Sequence, residues 1–229
     1  MRERHEPNYT KEFNASLGSV EEQTVRKGLL KNYLGSEREL DEIRSVLDFG
    51  GDRGQFIIDE LRAADRYVYE VSGTTPEPGI ISLKSLDECG KRRYDLIMCC
   101  HVLEHVPDPL VEMGQITELA DESTLIYVEL PYGSPFDLEP TTFKKRIFRL
   151  ISSNHALTVL LLKMMKSQFL MHEHINYFDE SSLNKLMERC GLKVIKMDIP
   201  EFDIGPMKVR IIRCLAQKRG AHDQLGHDR

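Results

Sequence analysis

From residue 45 onward, short runs of apolar and β-branched residues alternate with stretches whose apolar side chains recur at helical spacing. Ser45–Phe49, 66–71, 79–83, 94–100 and 124–130 have the length and composition of strands. Residues 54–64, between the first two, carry a helical pattern. Parallel strands need crossover connections, and a series of such crossovers builds a mainly parallel sheet covered by helices. Two further strands are expected at 192–199 and 207–215. This pattern limits the chain to the α/β class.

Two helices announce their ends. Asp108 stands before Pro109, a favoured first helical residue, and Leu110, Met113, Ile116 and Ala120 fall on one face. Asp179 can cap a second helix, whose apolar face is Leu183, Leu186, Met187 and Cys190. Gly191 then supplies a left-handed stop.

The turn after the first strand reads Val46-Leu47-Asp48-Phe49-Gly50-Gly51-Asp52-Arg53-Gly54. Glycines between strand and helix let backbone approach a ligand closely and aim free N–H groups at it. Glu70 follows Gly50 by twenty residues, at the end of the second strand. An acid there can hold both hydroxyls of a ribose. The lysine of a triphosphate-binding loop is absent, which argues against nucleotide hydrolysis.

These residues, with Tyr94-Asp95-Leu96-Ile97-Met98-Cys99-Cys100-His101-Val102-Leu103-Glu104-His105-Val106-Pro107-Asp108-Pro109, resemble class I S-adenosylmethionine-dependent methyltransferases. The likeness is good over 44–131 and looser over 172–216. It implies a Rossmann-like, seven-stranded, mainly parallel sheet with the last strand antiparallel and helices on both faces. It also implies S-adenosyl-L-methionine as cofactor. In that reading Asp48 orients the glycine loop, Gly50, Gly51 and Gly54 line the amino-acid portion, and Glu70 holds the ribose. Ser85 and Leu86 flank the adenine, and His101 follows the fourth strand near the methyl position. Asp52 occupies the middle glycine position of the family pattern. It is read as a variant of the loop, with its carboxylate near the methionine end. Glu104 and His105 are read as locking the turn after the fourth strand.

Methyl transfer needs alignment above all, and a hydroxyl acceptor also needs a base. Met171-His172-Glu173-His174-Ile175-Asn176-Tyr177-Phe178 resembles the Glu-His-x-x-x-Phe element of methyltransferases acting on nucleotide-linked sugars and related natural products. The resemblance makes His174 the base, Glu173 its partner, and His172 and Tyr177 residues of the acceptor pocket. A surface loop or helix entry is the structural alternative. A metal held by His172, His174 and an acid is a minor one, so no metal is expected. Relatives that methylate sugar carbons often carry an N-terminal cysteine-rich zinc segment. No cysteine precedes Cys89 here, which favours oxygen as the acceptor atom.

The leading expectation is O-methylation of a sugar or glycan-type acceptor, nucleotide-linked or within surface-polysaccharide synthesis. A quinone, phenol or amine acceptor is one alternative. A catalytically silent binding module, suggested by Asp52, is another. A nicotinamide dehydrogenase is remote, because the stretch from Leu103 to Pro109 argues against it.

Charge and cysteines set the remaining bounds. A net charge of −6 over 229 residues argues against a general nucleic-acid binder. Five cysteines with no C-x-x-C pair disfavour a disulfide framework or zinc ribbon and fit a reducing, cytoplasmic compartment. Residues 1–14 lack the apolar stretch of a signal peptide, and the apolar window 156–165 is broken by Lys163 and too short to span a bilayer.

The expected organisation is an N-terminal helical segment at 1–44, a methyltransferase domain at 45–216, and a disordered tail at 217–229. Residues 136–170 break the alternation. They carry six lysines and arginines against two acids, a local +4, with Phe143, Ile147, Leu150 and Ile151 forming a helical stripe. An inserted helical pair with a solvated basic face is expected there. A lid, an oligomer contact or a membrane-surface helix are the alternatives. Monomer and homodimer both remain open.

Overall fold

A computed structural model describes residues 20–132, 174–204 and 207–220. The insert expected at 136–170, with His172 and Glu173, lies outside the described residues. The elements, in chain order, are α1 (Val20–Gly35), β1 (Ser45–Phe49), β2 (Asp65–Tyr69), β3 (Ile81–Leu83), α2 (Leu86–Cys89), β4 (Leu96–Cys100), α3 (Pro109–Leu119), β5 (Leu125–Pro131), α4 (Glu180–Arg189), β6 (Leu192–Asp198), β7 (Glu201–Ile204) and β8 (Met207–Lys218).

The strands form one sheet in the order β3-β2-β1-β4-β5-β8-β6, with β7 pairing β8 off that path. Strands β1 to β5 pair in parallel, and β8 runs antiparallel to both β5 and β6. The seven-stranded frame with an antiparallel last strand is therefore present. β7 is an addition that the sequence pattern does not announce. It is four residues long and includes Glu201 and Asp203, residue types depleted in strands. β8 runs to Lys218, two residues into the segment expected as a tail.

Side chains on alternate strand positions face opposite sides of the sheet. Leu47, Phe49, Ile97, Cys99, Ile126 and Val128 pack with Met113 and Ile116 of α3 and Leu183, Leu186 and Met187 of α4. Val46, Val68, Leu96, Met98 and Tyr127 pack with Leu30, Tyr33 and Leu34 of α1 and with Ile57, Ile58 and Leu61. Helices thus cover both faces.

The end signals act as written. The Asp108 carboxylate accepts from the N–H groups of Leu110 and Val111. Asp179 and Ser182 form a reciprocal capping box. Gly191 has φ +72°.

One expectation fails. Residues 54–64 form turns and a single 3₁₀ turn at Asp59–Leu61, with no α-helix. The chain must return along β1, a strand of five residues or about 17 Å, to start β2 beside it. The glycine loop uses residues 50–54, which leaves 55–64 for the return. A helix climbs only about 1.5 Å per residue, so ten helical residues would use the whole connection and leave none to enter or leave it. The looser path still buries Ile57, Ile58, Leu61 and Ala64, the residues that produced the helical pattern.

Candidate active site

Parallel pairing of β1 to β5 brings the loops after these strands to one end of the sheet. The glycine loop lies there. Gly50 and Gly54 have φ of +69° and +76°, a region closed to most side chains. The loop is also crowded. A Cβ on Gly51 would stand 2.1 Å from Asp48 Cγ, and one on Gly50 would stand 2.6 Å from a methyl of Val102. Asp52 has φ +52°, a conformation that Asp tolerates better than most residues.

Glu70 follows the last residue of β2. Its carboxylate accepts from the backbone N–H of Asp52 at 3.2 Å and of Ser72 at 2.8 Å. The acid is thereby tied to the glycine loop. β3 ends at Leu83 beside Tyr69, so Ser85 and Leu86 lie at the same sheet end. The Ser85 hydroxyl accepts from the Glu88 N–H and caps α2. Leu86 packs partly buried against the core.

Beneath the loop is a buried charged group of a kind the sequence pattern does not reveal. Asp48 is fully buried, and neither carboxylate oxygen has a hydrogen-bond partner. Burial pushes its carboxyl up to about 7, against the pull of Arg26. Arg26, on α1, donates from Nε to Glu129 Oε1 at 2.7 Å and covers the Phe56 ring at 3.8 Å. The Tyr127 hydroxyl donates to the other oxygen of Glu129 at 2.5 Å. Burial alone would raise the Glu129 carboxyl, but Arg26, His101 and Tyr127 hold it at about 2.

His101 follows β4 with φ +57°. Its Nδ1 lies 3.1 Å from Glu104 Oε1, and its Nε2 lies 3.4 Å from Glu129 Oε1. Burial and Arg26 would lower its pKa, but the two carboxylates outweigh them and raise it. The ring is therefore held between two carboxylates, which suits it to positioning. Neither Arg26 nor Glu129 is legible as a site residue in the sequence. The available signal was Glu129 itself, the one charged residue in the apolar strand Leu125–Pro131.

The segment that begins at His174 docks on the turn after β4. Ile175 N and Asn176 N donate to Glu104 O at 2.8 and 3.1 Å. Asn176 Nδ2 donates to the carbonyls of Leu103 and Val106 at 3.0 and 2.7 Å. These bonds bring the His174 ring to 4.8 Å from the ring of His105. Tyr177 is exposed, whereas Phe178 is buried in the core beside α4. The Glu104 carbonyl thus anchors this segment, while its buried side chain faces His101.

A family model described as a methyltransferase domain matches residues 22–197. The chain belongs to this family. No curated protein matches it in sequence. Among solved structures, it is similar to magnesium protoporphyrin IX methyltransferase from Synechocystis PCC 6803 with bound SAH. That likeness has 14% identity and a TM-score of 0.52 and covers 92% of this chain and 89% of that one. Human N-acetylserotonin methyltransferase in complex with SAM is also 14% identical with a TM-score of 0.52, over 91% of this chain and 55% of that one. At such identities the likeness speaks for the fold alone.

The methyltransferase is S-adenosylmethionine-dependent. Its residues suit that cofactor: a glycine cradle that side chains would fill, an acid tied to it, and a buried carboxylate with two unused oxygens. Among the described residues, no helix is long and apolar enough to cross a membrane.

Proposed function

We propose that this methyltransferase acts on a hydroxyl of a sugar or glycan-type acceptor, nucleotide-linked or within a surface polysaccharide. The observation that carries the reading is the docking of the His174 to Phe178 segment on the turn after β4. An imidazole and an exposed phenol then share one sheet end with the glycine loop.

S-adenosylmethionine supplies a methyl carbon already activated by a sulfonium. The protein's task is to bind, align and remove a proton. Gly50, Gly51 and Gly54 would offer backbone to the amino-acid portion, Asp48 would orient the glycine loop, Asp52 would supply charge beside it, and Glu70 would accept from the ribose hydroxyls. Ser85 and Leu86 border the adenine. His101, clamped by Glu104 and Glu129, fixes the floor of the site. His174 takes the acceptor proton, and Tyr177 lines the acceptor side. His172 and Glu173 are assigned to the acceptor on the sequence alone.

Two variants separate these roles. Glu70→Ala removes charge-assisted hydrogen bonds worth about 1.5–3 kcal/mol, so S-adenosylhomocysteine affinity should fall about 10- to 100-fold in calorimetry. Unchanged affinity would remove Glu70 from the cofactor site. His174→Ala should lower turnover about 10²- to 10⁴-fold while leaving that affinity intact. Full activity in this variant would end the assignment of the base.

A second reading has one observation in its favour. Ile175 and Tyr177 are exposed beside the site, and an apolar flank suits a quinone or phenol. Turnover of catechol-type acceptors in preference to nucleotide sugars would replace the first reading by this one.

A further inference from the structure

We propose that Glu104, His105 and His174 form a binding site for a divalent transition-metal ion of the zinc class. Each offers one ligand atom, and the three atoms lie within 4.8 Å of one another. This set differs from the sequence expectation, which paired His174 with His172. It joins the turn after β4 to a segment about seventy residues later, a proximity created by the fold.

The Glu104 carboxylate is the second and independent observation. The residue is 1% exposed, and neither oxygen has a hydrogen-bond partner. Burying a carboxylate is costly unless it is paired or bound to a metal. His101 stands at ion-pair distance from Oε1 only, 3.1 Å away, which leaves Oε2 to a ligand. His105 Nε2 lies 3.8 Å from Oε1. Ligand atoms around a tetrahedral zinc ion stand roughly 3.3 Å apart, given bonds of about 2.0–2.2 Å. The required closure is small for an exposed His105 and a half-buried His174.

Anchoring supports the same conclusion. Ile175 N and Asn176 N both bond to the Glu104 carbonyl, so the backbone beside His174 is fixed to the residue that supplies the carboxylate. Two imidazoles and one carboxylate, with no thiolate, suit zinc, cobalt or ferrous iron and leave coordination positions open to an acceptor oxygen.

The metal claim is independent of the acceptor, but it competes with the proton-transfer role given to His174. An imidazole lone pair held by a metal cannot also take a proton, so the two roles can be read separately. The experiment is calorimetry of the full chain, without a histidine tag, against Zn²⁺ and Co²⁺, with the visible spectrum of the Co²⁺ form as a second readout. One ion per chain is expected. His105→Ala, His174→Ala and Glu104→Gln should each weaken binding by at least about tenfold, since even outer-shell partners are worth about 10- to 100-fold. Asp121→Asn, a described residue that is not a member of the cluster, should leave it unchanged. Thermal melts confirm that each variant folds, and Glu104→Gln keeps the side-chain shape.

No binding by the wild type, or equal binding by the His105 and His174 variants, overturns the site. Zn²⁺ that binds and slows methyl transfer agrees with both the site and the base. Zn²⁺ that binds and leaves turnover unchanged upholds the site and removes His174 as base.

Discussion

Replacing Asp48 with asparagine should raise the melting temperature at pH 8 far more than at pH 4. Asp48 is fully buried with two unpartnered oxygens, and burial lifts its carboxyl from 3.8 to about 7. The native state therefore holds a proton that the unfolded chain releases above about pH 4. Stability falls as pH climbs from about 4 to about 7 and then levels off. The gap between the two values corresponds to about 4 kcal/mol. Asparagine keeps the shape without the charge, so its advantage should appear over that window. For a chain of this size, 1 kcal/mol moves the midpoint by about 2–4 °C. The gain at pH 8 relative to pH 4 should then reach about 8–16 °C, with weaker S-adenosylhomocysteine binding. A shift that is the same at both pH values would contradict the buried-acid account. Such a cost fits a residue retained for ligand binding, where strain and unpaired charge concentrate.

Arg26→Ala should be strongly destabilising. It removes the guanidinium that bonds Glu129 Oε1 and leaves that carboxylate 2% exposed and poorly compensated. Breaking a buried ion pair from one side costs about 3–5 kcal/mol, a large part of the total stability of about 5–15 kcal/mol. A fall of about 6–20 °C in melting temperature is expected. Glu129 sits at about 2 in the native state, below its ordinary value of 4.5. Its stabilising share is present above about pH 4.5 and is lost as pH falls through about 2. The variant should lose that acid limb of the stability curve. Adding Glu129→Gln should restore much of the loss, because the orphaned charge is then gone. If the double variant is no more stable than Arg26→Ala, the damage lies in lost packing over Phe56 rather than in charge.

The candidate cofactor residues were all singled out in the sequence. The glycine turn and the stretch after the fourth strand are each local patterns, and Glu70 stands at a fixed distance from the first of them. The acceptor half was legible only as a motif. His174 was singled out, but the ligand-bearing side chains that gather with it among the described residues are Glu104 and His105, some seventy residues earlier in the chain. The role of Glu129 depends on Arg26 and His101, which arrive from other elements.

The sequence by itself determined the strand positions, the Asp108 and Asp179 caps, the Gly191 stop and the family, because periodicity and capping act over single turns. Tertiary structure alone decided that 54–64 abandons the helix, since the length of the return along β1 is a property of the sheet. It also decided that β7 pairs with β8, and that Arg26 reaches Glu129 across 103 residues of chain. Buried charges are matched by whatever partner the packed layers bring within reach. No local pattern can encode that pairing, because it exists only once the sheet has been ordered and α1 laid on its face.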